Sequence, residues 1–203
     1  MSNSHVPQRD PIATSATLLV RLNSADKEPR EIAWRDFYMR YAPVIAGFAR
    51  NMHAPSTDID DVIQEVLLGF YAKSPTFVYD PSKGRFRGYL KVCTLRALLK
   101  RLGQNAKFQG KTLEDVDPAS PDLDDRWNHE WEQHQLQRAL DAVRQDYRGN
   151  NTFRAFEQYV ILGKTVQEVA EQLGISADSV YQANTRVTEA LRRKVRELEE
   201  EEG

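Results

Sequence analysis

The sequence predicts an all-α protein built as two small helical domains joined by an acidic linker, the second domain carrying a helix–turn–helix. Three observations lead there. Apolar residues recur at three- and four-residue spacing in most segments, the period of an amphipathic helix. No stretch alternates apolar and polar residues as a half-buried strand would. Proline, glycine and blocks of charge divide the chain into residues 1–13, a flexible start; 14–107, the first helical domain; 108–123, the acidic linker; and 124–203, the second helical domain.

Each element follows in order. Ser15 to Leu22 reads as a short apolar helix, and Arg30 to Met52 as a longer one with Ile32, Trp34, Phe37, Tyr38, Tyr41, Val44, Ile45 and Phe48 at helical spacing. Pro43 lies inside that pattern, where a missing N–H and a ring clash should kink the helix. "HAPSTD" breaks the chain, and Thr57 or Asp58 can cap the next helix, about Ile59 to Lys73. Its apolar face is Ile59, Val62, Ile63, Val66, Leu67 and Phe70, with Asp60, Asp61 and Glu65 largely off it. "SPTFVYDPSKGRFRG" reads as a loop, and a basic helix follows from about Tyr89 to Leu102. Gln104 to Leu123 carries glycine, proline and acid as a linker. A helix then opens near Asp124 with Trp127 and Trp131 one turn apart, continues through Leu136, Leu140 and Val143, and ends at "RGNN"; Thr152 to Leu162 forms another.

The next segment, "VQEVAEQLGISADSV", has the spacing of a helix–turn–helix. Counting Val166 as first, the fifth residue, Ala170, is small where two helices cross. The ninth, Gly174, tolerates the positive φ of a tight turn. Ile175 and Val180 close a small core with Val166, Val169 and Leu173, and Ser176 or Asp178 can cap the second helix. Beyond the turn the exposed face offers Ser179, Tyr181, Gln182, Thr185 and Arg186, then Arg192. Hydrogen-bonding side chains come first and cations later, an order suited to base edges and then phosphates in the major groove. A plain helical hairpin with a solvated charged face is the competing reading.

Charge is strongly segregated although the formal net charge of the 203 residues is only −2. Lys83 to Lys111 contains no acid, whereas Glu114 to Glu132 is acidic except for Arg126. Within "GRFRGYLKVCTLRALLKRL" the cations are interleaved with Phe86 and Tyr89. Aromatics on which bases stack, beside cations that neutralise phosphates, suit a single nucleic-acid strand. The competing reading puts Phe86, Tyr89, Leu90, Leu95, Leu98 and Leu99 in the core and the cations on a solvated face.

Several classes are excluded. The one cysteine, Cys93, permits no internal disulfide and no cysteine-based metal cluster. His129 and His134 are not at the i, i+4 spacing of a helical metal pair, and there is no glycine-rich phosphate loop. Catalysis and a cofactor are therefore not expected. No apolar run approaches the ~20 residues that span a bilayer. The polar start "MSNSHVPQRDP" lacks the apolar centre of a secretory signal, so a cytoplasmic location is expected.

One family has a possible single-strand site and a separate duplex-binding site with an acidic linker between them. "WRDFYMRYAPVIAGFAR", "DIDDVIQEVLLGFY" and "FRGYLKVCTLRALLKRL" resemble successive parts of region two of bacterial sigma factors, in the extracytoplasmic-function branch of the sigma-70 family. "TFRAFEQYVILGKTVQEVAEQLGISADSVYQANTRVTEALRR" resembles its region four. The resemblance implies a dissociable subunit of RNA polymerase, not an enzyme, that binds core polymerase and promoter DNA and starts transcription. It implies polymerase docking through Asp58, Asp60, Asp61, Gln64 and Glu65. The melted −10 element would meet Arg85, Phe86, Arg87, Tyr89, Lys91 and Arg96, and the −35 duplex Ser179, Tyr181, Gln182, Thr185, Arg186 and Arg192. Arg96 stands where many members carry asparagine, so −10 base choice is not carried over. The resemblance also implies an anti-sigma factor or another regulator as partner, and no membrane insertion. Ser56 and Thr57 are candidate phosphorylation sites at a helix start, with plain capping the simpler reading. The alternative is a two-domain helix–turn–helix regulator that is not a polymerase subunit; it would have no use for an acidic surface at Asp58 to Glu65.

Overall fold

The computed structural model describes residues 15–77, 86–102 and 117–202. Among them are eight α-helices and no strand: α1 (Ser15–Leu22), α2 (Lys27–Asn51), α3 (Ser56–Lys73), α4 (Phe86–Leu102), α5 (Pro121–Asp146), α6 (Asn151–Phe156), α7 (Val166–Leu173) and α8 (Ala177–Glu202). The chain divides into two compact units, and the division falls between Trp131 and Glu132, inside α5. Residues 1–13, expected as the start, Arg85 and residues 108–116 of the expected linker lie outside the described residues.

The first unit is an aromatic-rich bundle. α3 buries Ile59, Val62, Ile63, Val66, Leu67 and Phe70, the six residues of its apolar stripe, each contributing about 1.5–3 kcal/mol of transfer free energy if fully removed from water. Phe70 stacks on Phe37 of α2 at 4.9 Å between centroids, and Phe86 at the start of α4 meets Phe70 at 5.2 Å and Tyr41 at 5.4 Å. On α2, however, Ile32 and Tyr38 are exposed, so the apolar face is narrower than its spacing suggests.

Several helices start before the expected residue: α2 at Lys27, α4 at Phe86 and α5 at Pro121, each three residues early, so Phe86 is not in the loop and Pro121 to Leu123 are not in the linker. α3 begins at Ser56, so Thr57 and Asp58 sit within its first turn, where no side chain caps the helix; Thr57 donates to Asp58 Oδ1 instead, at 3.0 Å. α2 runs through Pro43 to Asn51. Past its end His53 adopts φ 58°, with its N–H on Arg50 O and that of Ala54 on Ala49 O. A left-handed residue after a helix closes its last carbonyls in this way, and glycine does so at least cost.

The N-terminal part of α5 completes the first unit. Leu123, Trp127 and Trp131 are buried in its core, and Trp127 meets Phe48 edge-on at 5.2 Å. Arg126 donates to Asn51 O and Oδ1 at 3.3 and 3.0 Å. A β-carbon at Gly47 would meet the Glu130 carboxylate, the tip of a flexible side chain that can turn aside. The sequence reading assigns Trp127 and Trp131 to the second domain; they pack in the first core.

The second unit has two small cores. Ala139, Val143, Phe153, Phe156, Val187, Ala190, Leu191 and Leu198 form one. Ala155, Val166, Val169, Val180 and Ala183, flanked by Ala170, Leu173 and Ile175, form the other. The helix expected from Thr152 to Leu162 is α6 followed by a wider π turn at Glu157–Ile161, which leaves Val160, Ile161 and Leu162 exposed.

Candidate functional site

The acidic surface lies on α3. Asp60, Asp61 and Gln64 are exposed, and Asp58 and Glu65 half-buried. They occupy the side opposite the buried stripe because a helix repeats its faces every three to four residues. The end of α4 reaches this surface: Arg101 holds Asp61 at 2.8 Å and Lys100 holds Glu65 at 2.7 Å, with Arg101 Nε 3.6 Å from Glu65. Such exposed pairs are worth about 1 kcal/mol or less each. They leave Asp60 and Gln64 as the outward ridge, which continues into exposed Leu68 and Tyr71.

α4 separates its predicted contacts into two faces. Tyr89 and Arg96, two turns apart, share the accessible side; Arg96 is exposed and Tyr89 half-buried. Burial, a hydrogen bond with Cys93 and the nearby thiol push the Tyr89 phenol up to about 12, against a smaller opposing pull from Arg96. The ring therefore stays neutral, with Phe77 5.5 Å and Phe86 5.9 Å away. Phe86 itself is 2 % exposed and sits among Phe37, Tyr41 and Phe70. It supports this surface from below and offers no free face to a base. Lys91 and Arg87, one turn apart, share another side. The Lys91 side chain is only 8 % exposed and its ammonium pairs with Asp124 of α5. Burial makes Lys91 part of the contact between α4 and α5, and Arg87 is half-buried and engaged. Sequence spacing gave no sign of this pair, because its two residues are 33 positions apart.

The third cluster is in the second unit. Thr165 and Glu168 cap α7 reciprocally: Thr165 N donates to Glu168 Oε2 at 2.8 Å and Glu168 N to Thr165 Oγ1 at 3.3 Å. Hydrogen bonds from the Thr165 backbone and side chain hold the Glu168 carboxyl below its ordinary range. Gly174 then turns the chain with φ 63° and ψ 38°, and Ser176 caps α8 by accepting from Ser179 N at 3.1 Å. Beyond the turn Ser179, Tyr181, Gln182, Thr185, Arg186 and Arg192 are all exposed. Thr185 donates to Tyr181 O at 3.2 Å, and the Tyr181 ring meets that of Tyr159 at 6.2 Å. A cleft of about 200 Å³ runs along α8 beside Ser179, Gln182 and Arg186, with Asn151 and Thr152 on its other wall. Asn151 was legible only as part of a helix end; it also donates to Leu173 O at 3.4 Å, just before the turn.

Among the described residues no group of three or more His, Cys, Asp and Glu side chains could hold a metal ion, and no helix is long and apolar enough to cross a membrane. Comparison with curated proteins gives no match, nor does comparison with solved structures. Comparison with protein families gives Sigma-70 region 2 over residues 37–108, the span from Phe37 in α2 through α3 and α4. The acidic ridge of α3 and the Tyr89–Arg96 face of α4 both fall inside that match. Residues 37–108 of the chain are thus similar to a sigma-70 region 2 domain.

Proposed function

We propose that the chain is an RNA polymerase sigma factor of the extracytoplasmic-function type. The region 2 match, which contains both an exposed acidic ridge and a cationic aromatic face, carries this reading. In it Asp60 and Gln64, with Asp58, Asp61 and Glu65 beside them, dock on a basic helical surface of core polymerase. The strand of the melted −10 element lies along Tyr89 and Arg96, with Arg85 and Arg87 adding positive charge and Phe86 and Lys91 holding the helix in place. α7 and α8 act as a helix–turn–helix of region four and contact the −35 duplex through Ser179, Tyr181, Gln182, Thr185, Arg186 and Arg192. What supports this part is the left-handed turn at Gly174 together with the exposure of all six side chains. The protein works in the cytoplasm, and an anti-sigma factor restrains it by covering one of these surfaces.

Transcription in vitro tests the proposal. Core polymerase is supplied with a genomic fragment library, with and without the chain, and transcript starts are mapped. Starts that require the chain and share a −35 and −10 pattern are expected. Binding to duplex DNA without binding to core polymerase would make it a helix–turn–helix regulator instead. Neither activity would overturn the proposal.

A further inference from the structure

The cleft beside α8 divides the residues there into two kinds. Ser179, Gln182 and Arg186 follow one another at three- and four-residue spacing and so form one edge of the helix, and this edge borders the cleft. Tyr181, Thr185 and Arg192 lie round the helix from it, and Tyr181 abuts Tyr159 on that other side. The opposite wall of the cleft is Asn151 and Thr152, residues that precede the turn by more than twenty positions.

We infer that this cleft seats the sugar–phosphate backbone of the duplex, with Thr152 and Asn151 as contacts and Arg186 as a phosphate-binding rather than a base-reading residue. The inference rests on the reading that α8 enters the major groove. A helix in that groove presents a convex surface to the base edges, while the two backbones rise as ridges along its sides. A concave strip along one side of the helix therefore meets a ridge and cannot reach a base edge. Its lining matches that partner: a guanidinium, two hydroxyls and two carboxamides, with no carboxylate. Phosphate contacts of this kind come from Arg, Ser, Thr, Asn and Gln, and they fix register without carrying sequence information. Asn151 adds position, since its bond to Leu173 O ties this wall to the turn that sets the direction of α8.

The test uses the full chain bound to core polymerase and measures affinity against salt for two duplexes: a promoter fragment from the transcription screen and a mixed-sequence control of equal length. Thr152→Lys places a cation in the cleft. It is expected to tighten binding to both duplexes and steepen the slope of log affinity on log salt by about 0.9. Arg186→Ala should flatten the slope by about 0.9 for both. Thr152→Val should weaken both about two- to tenfold with the slope unchanged, because a neutral donor releases no counterion. An Arg186→Ala loss confined to the promoter fragment, or a Thr152→Lys slope equal to wild type, overturns the inference. So does loss of cooperative melting in both Thr152 variants, which would assign the residue to the fold. Gln182→Ala separates this failure from that of the underlying reading. If it and Arg186→Ala both leave duplex binding unchanged, α8 is not in the groove at all.

Discussion

Phe86 and Arg96 show how two residues with the same sequence signal are used differently. Both lie in one basic, aromatic segment, yet Phe86 is buried and Arg96 exposed. Truncating Phe86 to Ala removes contacts with Phe37, Tyr41 and Phe70 and should cost about 3–5 kcal/mol in urea unfolding. Arg96→Ala should leave the urea midpoint near wild type and instead reduce open-complex formation on duplex promoters. If Phe86→Ala unfolds like wild type, the aromatic cluster does not hold α4. Glu168 supplies a pH-dependent term. Its carboxyl is held below the ordinary value of 4.5 in the folded state. The contribution of its cap is thus complete above that value and is lost as pH falls through the lowered one. Glu168→Gln keeps an acceptor at the same place without a titrating charge. Its melting temperature should therefore lose this part of the acid dependence, and a profile parallel to wild type would contradict the assignment.

At the scale of elements, the left-handed residues that follow α2 and α7 make opposite predictions. Gly174 needs no β-carbon at φ 63°, so Gly174→Ala should destabilise the second unit by about 1 kcal/mol or more. His53 pays the side-chain penalty at φ 58°, so His53→Gly should stabilise the first unit by a fraction of that, offset by the added freedom of the unfolded chain. Thermal melting of both variants reads the two signs directly. The acidic face of α3 makes a third element. Reversing Asp60 and Asp61 to Lys breaks the exposed Asp61–Arg101 pair and should cost about 1 kcal/mol or less of stability. Core-polymerase affinity should fall much further, because like charges would then face a basic partner. Equal affinity in a core-binding titration would remove this face from the interface.

For the molecule as a whole, the informative helix is α5. Its first turns belong to the first unit, held by Trp127, Trp131, the Arg126–Asn51 bonds and the Lys91–Asp124 pair. A fragment cut at the end of the family match at residue 108 would lack these groups. Trp127→Ala in the full chain should therefore destabilise the first unit by about 3–5 kcal/mol, seen as loss of amide-exchange protection around Phe48 in α2. Loss confined to residues after Glu132 would return the tryptophan to the second unit.

The sequence by itself determined where most helices lie, though not their first residues, and also the buried stripe of α3 and the turn at Gly174. Each of these follows from local period, from capping side chains or from the steric freedom of one residue, and none needs a distant partner. The same local rules placed the acids of α3 and the polar residues of α8 on the outside. Tertiary structure alone decided that Trp127 and Trp131 complete the first core and that Phe86 lies beneath the surface it was expected to form. It also decided that Lys91 is spent on Asp124, and that Asn151 and Thr152 face α8 across a cleft. Amphipathic spacing says that a residue has a buried or an exposed side, but not which helix covers it. That choice is made by contacts between residues far apart in the chain, where apolar area and buried charge must be satisfied together.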